Sequence, residues 1–290
     1  MILFILGIFL IGIAPVFITA LFQKKSEDFD KVKRKNNFIY LITLCNLCIF
    51  FFLNRNSDIL LGTLIGSSLF QLLAVGGVSQ LFDKKRNRMD GRGQYLAFCA
   101  IVLLFLSADY LLTGNAENNI LSPIDGVLLL FLFILYLFIC IRNGLEIRIP
   151  EKQYIFYFIS LEIVILLGTY MISQNVSKIG AAFGLSQYLT GLTMVSWCIN
   201  ISTMFMSKEK NQKLNYLEEA MEETVISITL LLGGIICFFP LSISSYIIYD
   251  LIIFGVVSIV LQLVQKIDSR LAASGMATVY VAFIVYVFIR

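Results

Sequence analysis

Long apolar runs, separated by short charged or turn-rich breaks, fill nearly the whole chain. A helix that crosses a bilayer needs roughly 20 mostly apolar residues, and runs of this kind predict ten spans. Because no stretch is left for a soluble domain, the pattern predicts an all-α integral membrane protein with ten transmembrane helices. The predicted spans are residues 1–22, 38–53, 58–82, 94–112, 124–142, 153–174, 185–207, 217–239, 244–265 and 271–289.

Composition supports lipid as the solvent of this chain. Of its 290 residues, 59% are hydrophobic and 14% are charged, and the mean hydropathy is +0.88. A soluble domain usually carries about 25% charged residues. The lipid bilayer is therefore the first predicted partner.

The basic residues alternate between the predicted loops. All but three of the 22 Lys and Arg residues fall in the loops after spans one, three, five, seven and nine, the exceptions being Arg55, Lys178 and Arg290. Because cytoplasmic loops carry the excess of Lys and Arg, these loops are predicted inside the cell and both termini outside, in the plasma membrane. The first 17 residues lack a basic start and a clear cleavage site, which predicts a retained first helix.

Several kinds of chemistry are not expected. The chain has no histidine, and its six cysteines lie in or beside apolar spans, where they serve best as small packing residues. This pattern argues against a zinc site and a His-based catalytic dyad. With no phosphate-binding loop either, the chain is predicted to be neither an enzyme nor a cofactor protein. The net charge of +3 reflects the loop bias and predicts no nucleic-acid partner.

The two halves of the chain echo each other. Gly76-Gly77 in span three matches Gly233-Gly234 in span eight, and Asp125-Gly126 in span five matches Ser274-Gly275 in span ten. Because five is odd, the second half must enter the membrane from the opposite side. The sequence thus predicts two inverted five-helix repeats, residues 1–142 and 153–290, joined by a cytoplasmic linker at 143–152. In such repeats the binding site lies near the bilayer midplane.

The seventh predicted span carries a polar seam. Its apolar run is interrupted by Cys198, Asn200, Ser202 and Thr203. Polar seams inside membrane helices are typical of proteins that carry a small polar solute or an ion through lipid. The pattern indicates a transporter fold.

Three features carry a resemblance to a known family. They are Gly184-Leu185-Ser186 leading into Gly191–Ser196, the run Gly62–Gln71 continuing to Gly77, and a Gly-apolar-Tyr pattern in the last span of each half. On these features the chain resembles the cation/calcium exchangers, in particular the prokaryotic sodium/calcium exchanger branch. The resemblance implies cation antiport by alternating access.

The resemblance also implies a set of ion- or substrate-binding residues. In the first repeat the positions that match the family's signature are Ser67, Ser68 and Gln71. Their counterparts in the second repeat are Asn200, Thr203, Glu223, Thr224 and Ser227. The alternative reading is that small and hydroxyl residues in membrane helices serve close helix packing.

The sequence departs from the family at the signature glutamates. Each repeat of the family carries a G-T-S-x-P-E element whose glutamate binds the cation, but here Thr203 stands at that position, and residues 41–46 of span two contain no carboxylate. Ca²⁺ takes six to eight oxygens, with carboxylates offsetting its dehydration. Tight Ca²⁺ binding is therefore not expected, and Na⁺ or another small cation is the predicted transported ion.

Glu162 is the one carboxylate predicted well inside an apolar span, near the middle of span six. A charged residue there is costly, so the side chain is expected to face a cavity or a partner. One reading is proton coupling or replacement of a lost cation ligand. The other is a neutral glutamate hydrogen-bonded to a neighbouring helix.

Other acidic residues lie at helix ends. Glu218, Glu219, Glu222 and Glu223 open span eight, either as a solvated acidic first turn that suits the helix dipole or with Glu222 or Glu223 reaching the site as a displaced carboxylate. Asp58, Asp125 and Asp250 lie at span starts and are read as interface anchors.

Two functions remain open from the sequence. The first is a divergent secondary transporter of the exchanger type. The second is a non-transporting membrane subunit or scaffold that keeps the fold and binds a membrane protein partner, since both signature glutamates are missing while packing glycines remain.

The predicted topology can be tested by labelling single cysteines from outside intact cells with a membrane-impermeant maleimide. We expect Lys178→Cys to react and Lys84→Cys to react only after the membrane is permeabilised, because they lie in loops of opposite parity. The unsubstituted chain controls for its own cysteines. Labelling of both variants in intact cells would contradict the predicted orientation.

Overall fold

The computed structural model describes residues 1–23, 36–82, 92–107, 120–142, 155–206, 216–264 and 269–289. Helices make up nearly all of these residues. In the first half they are α1 (Ile2–Gly12), α2 (Ala14–Gln23), α3 (Asn36–Leu53), α4 (Ser57–Leu69), α5 (Gly76–Phe82), α6 (Arg92–Leu106) and α7 (Pro123–Arg142).

The second half contains α8 (Ile155–Ala182), α9 (Gln187–Thr190), α10 (Ser196–Met206), α11 (Tyr216–Ile226), α12 (Gly233–Phe238), α13 (Ser245–Val264) and α14 (Ser269–Ile289). Three π-helical segments join consecutive α-helices: π1 (Phe70–Val75), π2 (Gly191–Val195) and π3 (Ser227–Leu232). Two short strands, β1 (Ile120–Leu121) and β2 (Leu241–Ser242), pair antiparallel.

The helices lie close to the predicted spans. Among the described residues, five helices are long and apolar enough to cross a membrane: Ser57–Val78, Pro123–Arg142, Tyr157–Ala182, Leu217–Phe238 and Arg270–Ile289. Four shorter apolar helices cover Ile2–Ile18, Ile39–Leu53, Gly93–Leu106 and Tyr246–Gln262. These findings identify an all-α membrane protein.

One predicted end was wrong, and it moves a candidate residue. Helix α8 continues to Ala182, eight residues beyond the predicted end at 174. Glu162 therefore lies in the first third of its helix, not near the middle. The basic loops that set the predicted orientation lie almost wholly outside the described residues.

Contacts divide the chain into two compact units. Unit 1 comprises Met1–Phe70 and Ile147–Gln212, and unit 2 comprises Gln71–Glu146 and Lys213–Ile289. Each unit thus contains segments from both predicted halves. The continuous helix formed by α4, π1 and α5 begins in unit 1 and ends in unit 2.

Unit 1 depends on a backbone-to-backbone contact between α4 and the segment formed by α9 and π2. A Cβ atom added to Gly62 would lie 2.2 Å from the carbonyl oxygen of Tyr188, and one on Gly66 would lie 2.2 Å from that of Leu192. From the other side, a Cβ on Gly191 would lie 2.2 Å from the carbonyl oxygen of Ile59. Only glycine fits at these positions.

The rest of unit 1 is built around α8, which packs against α1 and α3. Gly7 and Gly168 let α1 and α8 approach closely, because a Cβ on Gly7 would lie 2.9 Å from the Gly168 carbonyl oxygen. Ile39 of α3 shares a buried apolar cluster with Tyr157, Leu161 and Ile165 of α8. The apolar faces of these helices thus form a continuous core.

In unit 2, two of the glycines that recur in both halves of the sequence pack against helices of the second half. Gly126 of α7 packs on α12, where its Cβ would lie 2.8 Å from the carbonyl oxygen of Gly233. Gly77 of α5 packs on α14, where its Cβ would lie 3.4 Å from that of Ala273. Gly234 and Gly275 have open space around the Cβ position, so only part of each echoed pair serves close packing.

We expect Gly66→Ala to destabilise the protein by about 3 kcal/mol or more, because the added methyl group meets backbone that cannot rotate away. Gly234→Ala is the matched control. Its methyl group enters open space and gains helix propensity, so its stability should stay at or slightly above that of the native chain. Unfolding of the purified variants in detergent measures both, and equal stability of the two would contradict the contact.

Candidate functional site

Most buried hydroxyl groups in the described residues donate a hydrogen bond to their own helix. Thr63 donates to the carbonyl oxygen of Ile59 at 2.7 Å, Thr169 to that of Ile165 at 2.9 Å, and Ser258 to that of Phe254 at 2.8 Å. Such bonds satisfy a hydroxyl inside lipid without any ligand. They define the pattern expected of a packing residue.

Three of the predicted site residues follow this packing pattern. Ser67 donates to the carbonyl oxygen of Leu64 at 3.2 Å, Thr224 to that of Ala220 at 2.7 Å, and Ser227 to that of Glu223 at 2.7 Å. All three side chains are fully buried. The hydroxyl proton of each of these residues is therefore already donated to a carbonyl oxygen of the preceding turn.

Three other predicted site residues leave a polar atom without a partner in the described part of the chain. These atoms are Ser68 Oγ, Gln71 Nε2 and Asn200 Oδ1. All three side chains are at most 1% exposed, and the Asn200 amide nitrogen donates to the Ser196 carbonyl oxygen at 2.7 Å. An unsatisfied buried polar group costs about 1–3 kcal/mol, so such groups in a native structure point to a bound ion or water.

The chemistry of each of these atoms, taken within its own unit, suits a cation of low charge. Ser68 and Asn200 both belong to unit 1 and present neutral oxygens. Gln71 belongs to unit 2, and rotation of its amide by half a turn places the oxygen where the nitrogen lies. Neutral hydroxyl and amide oxygens are hard ligands without the negative charge that binds a divalent ion tightly.

The π-helical segments coincide with the predicted site segments. Gln71 lies in π1 and Ser227 in π3, while Asn200 lies one turn beyond π2. A π segment interrupts the regular ladder of the helix and is frequent at functional sites. Sequence reasoning missed these segments, although each of them begins with a glycine or directly precedes one.

Glu223 differs from the other glutamates of α11. Glu218, Glu219 and Glu222 are partly exposed, as a solvated first turn requires, whereas Glu223 is only 2% exposed. A carboxylate buried to this degree needs a proton or a cation to offset the loss of water. Glu223 is thus the buried carboxylate of unit 2 among the predicted site residues.

Glu162 has a partner that the sequence did not suggest. The Nδ2 atom of Asn46, in α3, donates a hydrogen bond to Oε1 of Glu162, in α8, at 2.9 Å. The two residues are 116 positions apart, and no local pattern connects them. The sequence signal for this contact was the amide of Asn46, a polar side chain inside an apolar predicted span.

The remaining acidic candidates divide between caps and core. Asp125 accepts hydrogen bonds from the backbone N–H and the Oγ of Ser122 at 2.7 and 2.9 Å, which caps the start of α7. Asp250 was predicted as an interface anchor, but it is fully buried in α13. The backbone of Thr203 lies in α10, and its side chain lies outside the described part of the structure.

The adjacent serines of α4 provide a test of this assignment. In buffer without alkali cations, Ser68→Ala should raise the free energy of unfolding by about 1 kcal/mol, because it removes an unsatisfied buried hydroxyl. Ser67→Ala should leave that energy unchanged or lower it, since it removes a hydroxyl that already has a partner. Thermal unfolding of the two variants decides, and equal effects would contradict the difference between the two hydroxyls.

Comparison with known proteins places the chain in context. The family described as sodium/calcium exchanger protein matches residues 46–142. No curated protein sequence matches the chain significantly.

Solved structures share the fold over nearly the whole chain. The sodium-calcium exchanger NCX_Mj, soaked with Na⁺ and Sr²⁺, is 19% identical with a TM-score of 0.62 and covers 98% of this chain and 97% of its own. The H⁺/Ca²⁺ exchanger CAX is 14% identical with a TM-score of 0.66, covering 96% and 78%. Native YfkE is 15% identical with a TM-score of 0.65, covering 99% and 90%.

Proposed function

We propose that this chain, whose residues 46–142 match the sodium/calcium exchanger family and whose fold matches solved cation exchangers, is a secondary transporter that exchanges small cations by alternating access. The observation that carries the proposal is the pair of unpaired buried atoms in unit 1, Ser68 Oγ and Asn200 Oδ1. They occur at positions that the resemblance assigns to ion binding. Leaving these atoms without a partner costs free energy in the ion-free protein. This cost has a functional reason if a bound cation supplies the missing contacts.

The proposed architecture is ten spans in two inverted five-helix repeats, residues 1–142 and 153–290, in the plasma membrane with both termini outside. In such a repeat, spans three and eight exchange, and so do spans five and ten. Packing of α5 on α14 therefore has a counterpart in the packing of α12 on α7, and both contacts occur. The placement of π1 before Gly76 and of π3 before Gly233 supports the same symmetry.

The proposed substrate is a monovalent cation such as Na⁺. Unit 1 offers Ser68 and Asn200, with Thr203 where the family has a glutamate. Unit 2 holds a separate set of candidate ligands within itself, namely Gln71, Thr224, Ser227 and the buried Glu223. Since carboxylates are what make Ca²⁺ sites tight, this ligand chemistry favours a monovalent cation over tightly bound Ca²⁺.

A second function is supported by the hydroxyls of Ser67, Thr224 and Ser227, which bond to their own helices as packing residues do. On that reading the chain is a membrane subunit or scaffold that does not transport. It would then purify at fixed stoichiometry with another membrane protein.

The proposal is tested by reconstituting the purified protein in liposomes and measuring uptake of radioactive Na⁺ against outward gradients of K⁺, H⁺ or Ca²⁺. We expect gradient-driven Na⁺ uptake in the native chain. Ser68→Ala should weaken apparent Na⁺ affinity about tenfold, the effect of losing roughly 1.4 kcal/mol of binding.

Ser258→Ala is the matched control, because Ser258 is equally buried but its hydroxyl is bonded within its own helix. It should retain native uptake. Absence of flux of every ion in both orientations would reject the transporter and favour the scaffold.

A further inference from the structure

The hydrogen bond between Asn46 and Glu162 joins two helices at the edge of unit 1. Asn46 is 9% exposed, and Glu162 is half-buried. Its neighbours Ile159 and Ile163 on α8 are 52% and 53% exposed, as expected of side chains that face lipid. The carboxyl group thus lies where the lipid-facing strip of α8 meets its packed face.

No charged group faces Glu162 from the helices that pack most closely against α8. The segments α1, α2, α3, α9 and π2 contain no Lys, Arg, His, Asp or Glu. Lys178 of α8 itself is sixteen residues away, about 24 Å along the helix. The titratable groups on these elements are otherwise thiols and phenols, namely Cys45, Cys48 and Tyr40 on α3, Tyr188 on α9, and Tyr157 and Tyr170 on α8.

An amide is a suitable partner for a carboxylic acid. Its N–H donates to the acid carbonyl oxygen, and its own oxygen can accept the acid O–H, so both groups are satisfied without charge. A carboxylate could also accept this N–H, but its negative charge would find no cationic side chain on the helices named above. A charge at the depth of Glu162 carries part of the cost of about 2.5–3.5 kcal/mol that insertion scales give for the centre of a membrane helix.

We propose that Glu162 is a proton-binding site whose acid form is held by Asn46, and that this proton is one of the exchanged ions. The coupling part rests on the proposed transport function. Glu162 lies five residues after Tyr157, where the apolar stretch of α8 begins. That is about 8 Å along the helix, a short path for a proton from one side of the membrane.

Infrared spectroscopy of the protein in lipid nanodiscs tests the proton site without requiring transport. We expect a carboxylic-acid C=O band at neutral pH that disappears in Glu162→Gln. The band should move to higher frequency in Asn46→Ala, which removes the donated hydrogen bond, and should persist at an altered frequency in Glu162→Asp. A spectrum unchanged by Glu162→Gln would overturn the proposal.

Asn175→Ala is the matched control for the amide. Asn175 lies on the same helix, but its Nδ2 donates to the carbonyl oxygen of Met171 at 2.8 Å, within α8. Its removal should leave the Glu162 band in place. A shift as large as that of Asn46→Ala would contradict a specific role for Asn46.

Proton coupling is measured in liposomes with an internal pH dye during cation uptake. The native chain should move protons against the cation, and Glu162→Gln should reduce proton movement to the level of empty vesicles. Any cation flux left in that variant should no longer depend on pH. Native proton coupling in Glu162→Gln would overturn the coupling role, whereas no flux in the native chain counts against the proposed function and leaves the infrared band to decide the proton site.

Discussion

Every polar group inside a bilayer must find its partner within the protein, since lipid offers none. In this chain the constraint is met mostly by hydroxyls that bond to the carbonyl oxygen one turn back, as Thr63, Thr169 and Ser258 do. This regular solution makes its exceptions informative. Ser68 and Asn200 lie in the same kind of environment and yet keep an oxygen without a partner in the described part of the chain, and the proposed ion binding rests on this observation.

The all-helical membrane character of the chain could be predicted from the sequence, because lipid leaves few alternatives to apolar helices. The site could be predicted only as a set of candidates. Ser67 and Ser68 are adjacent and chemically identical, and only the packing around α4 determines which hydroxyl keeps a free proton. The same holds for Glu222 and Glu223, where one step around the helix separates a partly exposed carboxylate from a buried one. Asn46 and Glu162 lie too far apart in sequence for any local pattern to pair them.

Close packing and the proposed ion binding use neighbouring residues of one helix. Gly66 of α4 contacts the backbone at Leu192, and Ser68 follows two positions later with its free hydroxyl. A contact without side chains leaves little freedom for α4 to shift within unit 1. The polar atoms beside it are therefore held in place by the backbone contact, which favours preorganised ligands over a flexible cage.

The π-helical segments have a consequence for the phase of the long helices. A π segment accommodates one residue more than the same length of α-helix would, so the residues after it are rotated by about 100° relative to an uninterrupted helix. In the helix from Ser57 to Phe82, this rotation sets the direction in which Gly77, after π1, faces relative to Gly66, before π1. A deletion of one residue in π1 would restore the ordinary α-helical phase and turn one of the two glycines away from its neighbour. The number of residues in π1 is thus as constrained as the identity of the glycines around it.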